Sequence, residues 1–335
     1  MTQPLVSVSM ITYRHARYIG PAIEGVLQQK TNFPFELVIG EDCSTDGTRE
    51  IVFEYAKKYP DIIRVITSDK NVGMKKNGLR TLKACQGKYL AFCEGDDYWH
   101  NPQKLQKQAD YLEGHPDCGL VYSSYDVYHV HSGKRIVDFI SYRKWDMPEA
   151  PTIIDLLESK GGRSRGITTC TVMARRKLLE DLIDADPYIH QNDKFPMGDT
   201  QLWAEMSTKA RLHFMPESLA THNITDESAT RSVDIQKILR FRIAGSELQL
   251  YLCEKYGLSA QVKKKYDQYL NHCLLWLAFY TKDGDLADDV RKKIGKLSLK
   301  EWIRYWGAKR TAIHHGYRAA LSMLSVFREK HSQWT

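Results

Sequence analysis

Features that mark secreted, disulfide-bonded or membrane-spanning proteins are scarce in this chain of 335 residues. Its seven cysteines are scattered, odd in number and form no C-x-x-C pair. This spacing argues against a disulfide framework and against a structural zinc site, and it favours reduced thiols in a cytosolic protein. The longest nearly unbroken apolar run, CLLWLAFY at 273–280, is far too short to span a bilayer.

The N-terminal residues MTQPLVSVSMITY also lack the basic segment that precedes the apolar part of a secretory signal. We therefore expect a cytoplasmic protein, either soluble or peripheral at the inner face of the cell membrane. Glycine-rich phosphate loops are missing as well. No Walker sequence occurs and no G-x-G-x-x-G follows the first predicted strand, which disfavours ordinary P-loop and dinucleotide-binding proteins.

Charge is unevenly spread along the chain. The formal net charge is +7, yet residues 291–335 hold eleven Lys and Arg against two Glu, which leaves residues 1–290 slightly negative. A basic binding surface should therefore be sought in the tail. The 11% aromatic and 27% charged content is typical of a globular protein.

Strand-like and helix-like segments alternate through the first hundred residues. The predicted strands are 5–12, 35–42, 62–68 and 88–93. Helical segments of suitable length lie between them, which predicts βαβ units and a mostly parallel sheet flanked by helices. Further strand-like segments follow at 119–130, 168–175 and 213–223, and the chain is helical in pattern from Val233 onward. We place a domain boundary near residue 230.

Acids and hydroxyls stand at the end of each of the first four predicted strands. These ends carry Thr12-Tyr13, Glu41-Asp42, Ser68-Asp69 and Glu94-Gly95-Asp96-Asp97. Ligands of such sheets gather beyond the carboxyl ends of the strands, so all four ends are expected to meet at one edge.

Three of these acids are crowded into Glu94-Gly95-Asp96-Asp97, where like charges repel and raise one another's pKa. A hard divalent cation would make the cluster favourable, since Mg²⁺ and Mn²⁺ prefer oxygen ligands and often bind carboxylates together with substrate phosphates. The alternative is an acidic turn that caps the helix following Pro102.

Two other acids have similar double interpretations. Asp42 with Ser44 could contact a nucleotide, or it could form an Asx-turn and helix cap. Asp199, in GDTQLWAEM, could act as a general base in a cleft, or it could be a helix N-cap.

Six blocks together resemble an inverting family 2 glycosyltransferase of GT-A fold, of the type that builds bacterial surface polysaccharides. They are VSVSMITYRHARYIGPAIEGVLQQ, ELVIGEDCSTDGTREIV, NVG, CEGDDYW, and the later pair GDTQLW and LATHNITDESATR. The resemblance implies a GT-A, Rossmann-like domain over 1–230 and a helical C-terminal region over 231–335. Residues 1–114 would form its nucleotide-binding half and 115–230 its acceptor half.

The resemblance also assigns roles to individual residues. It implies nucleotide contacts by Thr12, Tyr13, Asp42, Lys70, Arg80 and Glu94, and metal contacts by Asp96, Asp97 and His222. Glu94 replaces the commoner Asp at the first position of the D-x-D motif. Asp199 matches the catalytic base, and His222 could contact phosphate or metal, or be an ordinary loop histidine.

The activity implied is a single in-line displacement with Mn²⁺ or Mg²⁺ as cofactor. A nucleotide-diphosphate sugar, a UDP-sugar, would be the donor, and a glycan or lipid-linked oligosaccharide would be the acceptor. One alternative is a sugar-phosphate nucleotidyltransferase, but SMITYRHARYIG lacks the Gly-rich basic signature. The other is a basic-tailed, non-catalytic protein that binds nucleic acid or an anionic polymer, which leaves the acidic edge unexplained. We expect no nucleic-acid partner.

The segment 299–327 has an amphipathic helical pattern. Its apolar stripe is Leu299, Trp302, Trp306, Ile313, Tyr317, Leu321 and Leu324, and its opposite face carries Lys300, Arg304, Lys309, Arg310 and Arg318. Such a stripe usually packs on the protein's own core. The alternative is an interfacial helix that contacts anionic lipid, which would suit a lipid-linked acceptor.

Overall fold

The computed structural model describes residues 3–157, 159–160, 163–164, 166–195, 198–225 and 234–319. Contacts divide the chain into two compact units, Met1–Asp226 and Glu227–Thr335. The domain assignment made from the sequence stays a prediction, and each unit is described by itself below.

The first unit contains eleven strands within its described residues. They are β1 (Val6–Thr12), β2 (Phe35–Glu41), β3 (Ile63–Ile66), β4 (Tyr89–Phe92), β5 (Tyr98–Trp99), β6 (Cys118–His129), β7 (Lys134–Ile136), β8 (Ser159–Lys160), β9 (Arg163–Ser164), β10 (Met173–Arg175) and β11 (Arg211–Ile224).

Nine α-helices and one 3₁₀ turn, Thr169–Thr171, accompany these strands in the described part of the first unit. The helices are α1 (Ile19–Leu27), α2 (Thr48–Lys58), α3 (Met74–Ala84), α4 (Lys104–Gly114), α5 (Phe139–Tyr142), α6 (Ile153–Leu157), α7 (Arg176–Ala185), α8 (Pro187–His190) and α9 (Thr200–Met206).

Nine strands form one mixed sheet in the order β3-β2-β1-β4-β10-β6-β11-β5, with β7 paired to β6. The first four strands run parallel, as their alternation with helices predicts. β10 is antiparallel to both β4 and β6, whereas β11 is parallel to β6. The predicted fold, a mostly parallel α/β sheet of GT-A type followed by helices, is confirmed.

β1 lies at the centre of the parallel half, and its burial explains why its sequence is almost continuously apolar. Val6, Val8 and Met10 are fully buried on one face, and they pack with Ile23 and Val26 of α1. The other face is polar but also buried. There Ser7 Oγ accepts the backbone N–H of Gly87 at 2.7 Å, which satisfies the buried hydroxyl. Strands covered on both faces show such runs rather than a strict alternation.

The second unit is helical over its described residues. Its helices are α10 (Ile235–Lys255), α11 (Ala260–Thr281), α12 (Gly284–Lys293) and α13 (Leu299–Lys309), and residues 311–319 are also helical. Leu275, Ala278, Ala287, Val290 and Ala308 form one apolar core between α11, α12 and α13. No helix among the described residues is both long and apolar enough to cross a bilayer.

The amphipathic tail packs differently from its sequence pattern. Arg304, assigned above to the polar face, is buried, and its guanidinium lies 3.8 Å from the centroid of the Trp276 ring. Leu299 and Trp302, assigned to the apolar stripe, are 77% and 37% exposed. The cation–π contact and the long aliphatic stem allow Arg304 to take an inward position. Leu321 and Leu324 lie outside the described residues.

One buried cation in the first unit is unusual. Lys104 opens α4 with no exposed surface, donates to Gln108 Oε1 at 2.8 Å, and lies 4.2 Å from the Trp99 ring centroid. Burial lowers the pKa of Lys104 from its ordinary 10.5 to about 7, although the neighbouring thiols of Cys170 and Cys93 oppose the shift. Its ammonium is therefore expensive to keep inside the fold.

We expect the stability contribution of Lys104 to change sharply with pH. Between pH 7 and pH 10.5 the unfolded chain holds a proton that the folded chain has released, so this residue makes stability rise with pH in that window. Below the window the buried charge destabilises the fold. The increase in the free energy of unfolding caused by Lys104→Met should therefore be largest near pH 7. It should shrink by up to about 1.4 kcal/mol for each unit by which the pH rises.

Urea unfolding of both proteins across this window measures the change. Lys83→Met, which removes an exposed lysine from α3, is the matched control and should show little pH dependence. If the stability difference between Lys104→Met and the wild type stayed constant with pH, the amine of Lys104 would not be neutral in the folded protein.

Candidate active site

The carboxyl ends of the parallel strands bring the predicted residues to one edge of the sheet. Thr12 ends β1 and lies opposite Glu41 of β2, and the Thr12 carbonyl accepts the N–H of Asp42 at 3.1 Å. On the other side of β1, the N–H of Gly95 donates to the Ile11 carbonyl at 3.0 Å. Backbone pairing alone thus sets Thr12 between Asp42 and the acidic cluster.

Asp42 lies in a pocket of hydrogen-bond donors. Its carboxylate accepts the backbone N–H groups of Val72 at 2.8 Å and Gly73 at 2.9 Å, and it lies 3.5 Å from the guanidinium of Arg80. Arg80 also donates to the Glu41 carbonyl at 2.9 Å. The two predicted nucleotide contacts, Asp42 and Arg80, are therefore held as a pair, whereas Lys70 is exposed on the same loop.

Tyr13 follows Thr12 at the end of β1 and is exposed. Its ring is 39% exposed and lies 5.3 Å from the guanidinium carbon of Arg14. Arg14 has a positive φ of 57° and donates its N–H to Ser44 Oγ at 3.1 Å. The turn after β1 is thus tied to the loop after β2, in which Ser44 lies two residues after Asp42.

Gly95 allows the acidic cluster to approach β1 closely. A Cβ atom at this position would lie 2.6 Å from Thr12 Oγ1 and 3.0 Å from His15 Nδ1. Any larger residue would push the D-x-D segment away from both side chains. Glycine is therefore required here by close packing rather than by its backbone angles.

Glu94 and Asp96 are the two acids of the cluster whose pKa values are raised. Burial, followed by the charges of Asp97 and Asp96, raises the pKa of Glu94 to about 8. Burial and Asp97 also raise the pKa of Asp96, although His15, whose Nε2 lies 3.9 Å from Asp96 Oδ2, opposes the shift. Without a cation these acids tend to hold protons, and a bound cation would remove that tendency.

Asp97 has a different partner. Both of its carboxylate oxygens lie 3.1 Å from His222 Nδ1, and Oδ1 also accepts the N–H of Asn223 at 2.8 Å. Burial disfavours a charged His222, yet Asp97 raises the pKa of its imidazole to about 9. Asp97 and His222 therefore form an ion pair in which Asp97 is buried and His222 is partly exposed, with the imidazolium beside the acidic cluster.

The short strand β5 creates this ion pair. Tyr98 and Trp99 pair antiparallel with Thr221 and Ala220 of β11, which sets the preceding Asp97 opposite His222. The sequence interpretation placed a loop at this position and missed β5. Two residues are too few to give a recognisable strand pattern, so no sequence signal could have found the pairing.

Asp199 is the N-cap of α9 and also faces the acidic cluster. Its Oδ1 accepts the N–H of Thr200 at 2.7 Å, and its Oδ2 accepts the hydroxyl of Thr169 at 2.7 Å. Its charge contributes to the raised pKa of Glu94, so the two carboxylates interact. The helix N-cap, one of the two interpretations made from the sequence, is therefore present. The same hydrogen bonds fix the direction of the carboxylate that the other interpretation makes a general base.

Several side chains of the site were not anticipated from sequence. Thr169 is brought to Asp199 by the 3₁₀ turn that precedes β10, and His15 reaches Asp96 from the loop after β1. Cys170 is fully buried, and its Sγ, one oxygen of Asp97 and one nitrogen of His222 all lie within 4.8 Å of one another. A hard cation prefers oxygen, so Cys170 is a poor ligand for Mg²⁺ or Mn²⁺.

Buried polar atoms without partners show that the residues present fit a divalent cation and a polar ligand. Thr12 Oγ1, His15 Nδ1, Glu94 Oε2 and Asn223 Oδ1 have no hydrogen-bond partner among the described residues. Each unsatisfied buried polar group costs the folded protein about 1–3 kcal/mol. Four such groups around one cluster therefore point to a ligand that satisfies them. The carboxylate oxygens beside them are the ligands that Mg²⁺ and Mn²⁺ prefer.

Comparison with known proteins places this site in context. Uncharacterized proteins of Mycobacterium, including one of Mycobacterium tuberculosis, are 44% identical over 117 residues, 35% of this chain and 34% of theirs. The chain thus spans about a third of the length of these curated relatives. The Escherichia coli UDP-Glc:alpha-D-GlcNAc-diphosphoundecaprenol beta-1,3-glucosyltransferase WfgD is 27% identical over 195 residues, 58% of this chain and 69% of that protein.

Two solved structures share the fold. The S. aureus TarS 1–349 structure in complex with UDP-GlcNAc has a TM-score of 0.52 at 19% identity, and the match covers 90% of this chain and 79% of that one. Mannosyltransferase PcManGT from Pyrobaculum calidifontis, in complex with GDP-Man and Mn²⁺, has a TM-score of 0.54 at 16% identity and covers 99% and 84%. At these identities the likeness concerns the fold alone.

Family membership rests on a direct match. The model of glycosyl transferase family 2 matches residues 7–183, which is more than half of the chain. The matched segment contains the whole parallel half of the sheet, the acidic cluster and Thr169. This match favours a glycosyltransferase over the nucleotidyltransferase and the non-catalytic binding protein considered above. The chain belongs to glycosyl transferase family 2, as its sequence blocks predict.

Proposed function

We propose that this protein is a metal-dependent inverting glycosyltransferase of cell-surface polysaccharide synthesis. It transfers a sugar from a UDP-sugar to a hydroxyl of a glycan or lipid-linked oligosaccharide. The observation that carries the proposal is the convergence of Asp42, Asp96 and Asp199 at one edge of the sheet, each in different surroundings. WfgD, whose name gives a UDP-sugar donor and a lipid-diphosphate acceptor, adds support.

Nucleotide binding is assigned to the pocket around Asp42. A carboxylate held by Val72, Gly73 and Arg80 is fixed in direction and keeps lone pairs for the N–H group of a uracil-type base. The border of the base is assigned to Thr12 and Tyr13, and the contact with the ribose hydroxyls is assigned to Glu94. Lys70, exposed nearby, would meet the base or phosphates from solvent.

Metal binding is assigned to Asp96, with Asp97 and His222 as the further predicted ligands. Because Asp97 binds His222 in this structure, we infer that Asp96 is the main cation ligand and that the imidazolium of His222 serves the diphosphate. When bound, the cation supplies Lewis-acid stabilisation of the departing diphosphate. The positive charge of His222 acts in the same direction.

Transfer is assigned to Asp199 as the general base. One of its carboxylate oxygens takes the proton of the acceptor hydroxyl, and the hydroxyl oxygen forms a bond to the anomeric carbon. The bond from that carbon to the diphosphate oxygen breaks, and the electron pair leaves with the nucleoside diphosphate. A single displacement of this kind inverts the anomeric configuration.

We expect Asp199→Asn to lower the transfer rate by about 10²–10⁴-fold, since a general base contributes that much. Asparagine caps helices as well as aspartate does, so α9 should survive the change, with the new amide N–H donating to Thr169 Oγ1 where the carboxylate accepted from it. Transfer is measured with a UDP-sugar screen in Mn²⁺ or Mg²⁺, and donor affinity is measured by calorimetry.

Asp193→Asn is the control for this change, since Asp193 is an exposed acid of the segment preceding α9. It should retain both transfer and UDP affinity. Transfer at the wild-type rate by Asp199→Asn would remove Asp199 from the mechanism.

We also expect the affinity for UDP to depend on a divalent cation. Adding EDTA should weaken UDP binding, and Asp96→Asn should weaken binding in Mn²⁺ by about tenfold or more because a charge-assisted contact is lost. Asp69→Asn, an exposed acid following β3, is the control and should keep the dependence. UDP affinity that is unchanged by EDTA would contradict a metal–diphosphate site.

Peripheral contact with an anionic membrane through 299–327 is the remaining part of the proposal. Leu299 and Trp302 are exposed at the start of α13, next to the exposed Lys300. Apolar and basic side chains side by side suit the boundary of an anionic bilayer. Residues 320–327 lie outside the described part of the chain.

Replacing Leu299 and Trp302 together by Ser should lower vesicle partitioning by about tenfold or more, because buried apolar area is lost. Co-sedimentation with anionic and neutral phosphatidylcholine-based vesicles measures the change. Ile235→Ser removes another exposed apolar side chain of the same unit and should have little effect. Equal, negligible sedimentation of all three proteins would rule out the contact.

A further inference from the structure

A cluster of aromatic rings lies beside the candidate active site, in the stretch predicted to form the acceptor half. We call Tyr125, Phe139 and Trp145 the aromatic platform. The centroids of Tyr125 and Phe139 are 5.6 Å apart, and those of Phe139 and Trp145 are 5.5 Å apart in an edge-to-face arrangement. Phe139 and Trp145 are half-buried, Tyr125 is buried beside them, and the mechanism above uses none of these three side chains.

The platform reaches the catalytic groups through Tyr125. Its ring lies edge-on to the imidazole of His222, with centroids 6.4 Å apart. Burial raises the pKa of the Tyr125 hydroxyl, and the side chain of Thr168, which is next to the Thr169 that holds Asp199, opposes the shift. A molecule lying on the platform is therefore adjacent to both the proposed base and the proposed diphosphate contact.

The turn that carries Phe139 and Trp145 is firmly built. Asp138 caps α5 by accepting the hydroxyl of Ser141 at 2.6 Å, and it also accepts the hydroxyl of Ser124 in β6. Asp138 and Lys144, on either side of the helix, have positive φ angles of 44° and 51°. Non-glycine residues in this region cost roughly 1–3 kcal/mol each and persist where the surroundings enforce them.

Two hydrogen-bond donors of the platform have no acceptor. The guanidinium of Arg143 lies 5.8 Å from the Phe139 centroid and 5.9 Å from the Trp145 centroid, and no carboxylate pairs with it among the described residues. The indole Nε1 of Trp145 is buried and has no hydrogen-bond partner in the described part of the chain either. By contrast, the nearby Arg135 is neutralised by Asp126 at 2.9 Å.

We infer that the aromatic platform and Arg143 form the acceptor subsite, and that its ligand is a saccharide bearing an anionic group. The apolar face of a pyranose ring packs on aromatic rings, and a guanidinium pairs with carboxylate or phosphate in two-point contacts. The anion is a uronate carboxylate or a phosphate ester on the sugar. The inference rests on the proposed function and names the acceptor class of that same site.

The test compares three probes by calorimetry with the whole protein. They are a glucuronate tetrasaccharide, a glucose tetrasaccharide of equal length, and that glucose tetrasaccharide carrying one phosphate ester. We expect at least one anionic probe to bind about tenfold or more tightly than the neutral one, as one charged hydrogen-bonded contact provides. Which anionic probe is preferred identifies the source of the charge.

Arg143→Gln should remove the preference for the anionic probe. Lys144→Gln is the matched control, because Lys144 is the next residue, is exposed, and has no ring contact in the described structure. It should keep the preference, which separates a specific pair from a change of net charge. Trp145→Leu should weaken the neutral and anionic probes by a similar factor, since stacking does not depend on charge.

Three outcomes would overturn the inference. They are equal affinity of the wild type for all probes, no binding of any probe, and equal loss in Arg143→Gln and Lys144→Gln. UDP titration in Mn²⁺ keeps this failure distinct from failure of the proposed function. A protein that binds UDP but shows no anionic preference refutes the subsite alone, whereas one that binds the anionic probe through Arg143 but not UDP refutes the proposed function.

Discussion

The crowding of three carboxylates within four residues after β4 is the constraint on which the candidate site depends. Like charges at this separation cannot all remain ionised in a poorly solvated place, so each acid must find its own solution. Asp97 pairs with the imidazolium of His222, and burial raises the pKa of Glu94 to about 8. Burial and Asp97 raise the pKa of Asp96, even though His15, whose Nε2 lies 3.9 Å from Asp96 Oδ2, and His222 oppose the shift. The raised pKa values of Glu94 and Asp96 mark these two acids as the ones whose charged forms a bound cation would stabilise most.

The mixed topology of the sheet brings the partners of these acids to the same edge. Four parallel strands alone would present only Thr12, Asp42 and the acidic cluster at their carboxyl ends. β10 runs antiparallel to β4, and the turn before it therefore starts at the same edge and supplies Thr169. β5 pairs with β11 and supplies His222 in the same way. The reversal of strand direction is thus what joins the two predicted halves of the family 2 domain in one site.

Much of the nucleotide-binding half could be predicted from sequence because its information is local. The apolar runs of β1 and β2 and the acids that follow them are visible within a few residues, and parallel pairing places their ends together. Asp97 and His222 are 125 residues apart, and their pairing depends on a two-residue strand. Such a contact leaves no periodic signal, so sequence offered only the resemblance to suggest that His222 matters.

The amphipathic tail shows a second limit of local pattern. Helical spacing placed Arg304 on the polar face, yet the Trp276 ring, a partner on another helix, holds its guanidinium in the interior. A periodicity argument weighs each residue by its own polarity and cannot include a distant aromatic face. The same limit applies to Arg143. Its proposed role depends on the rings of Phe139 and Trp145 and on the absence of a paired carboxylate among the described residues.

Asp199 shows why the structural and functional interpretations of one residue need not compete. As an N-cap it accepts the Thr200 N–H with one oxygen, and Thr169 fixes the other. Each carboxylate oxygen has two lone pairs, so both bonds can persist while a lone pair remains for an acceptor proton. A base held at both oxygens cannot rotate away from its direction of attack, and this preorganisation makes the proximity of an acceptor productive. The cap is therefore part of the catalytic geometry, because it aims the carboxylate at the acidic cluster.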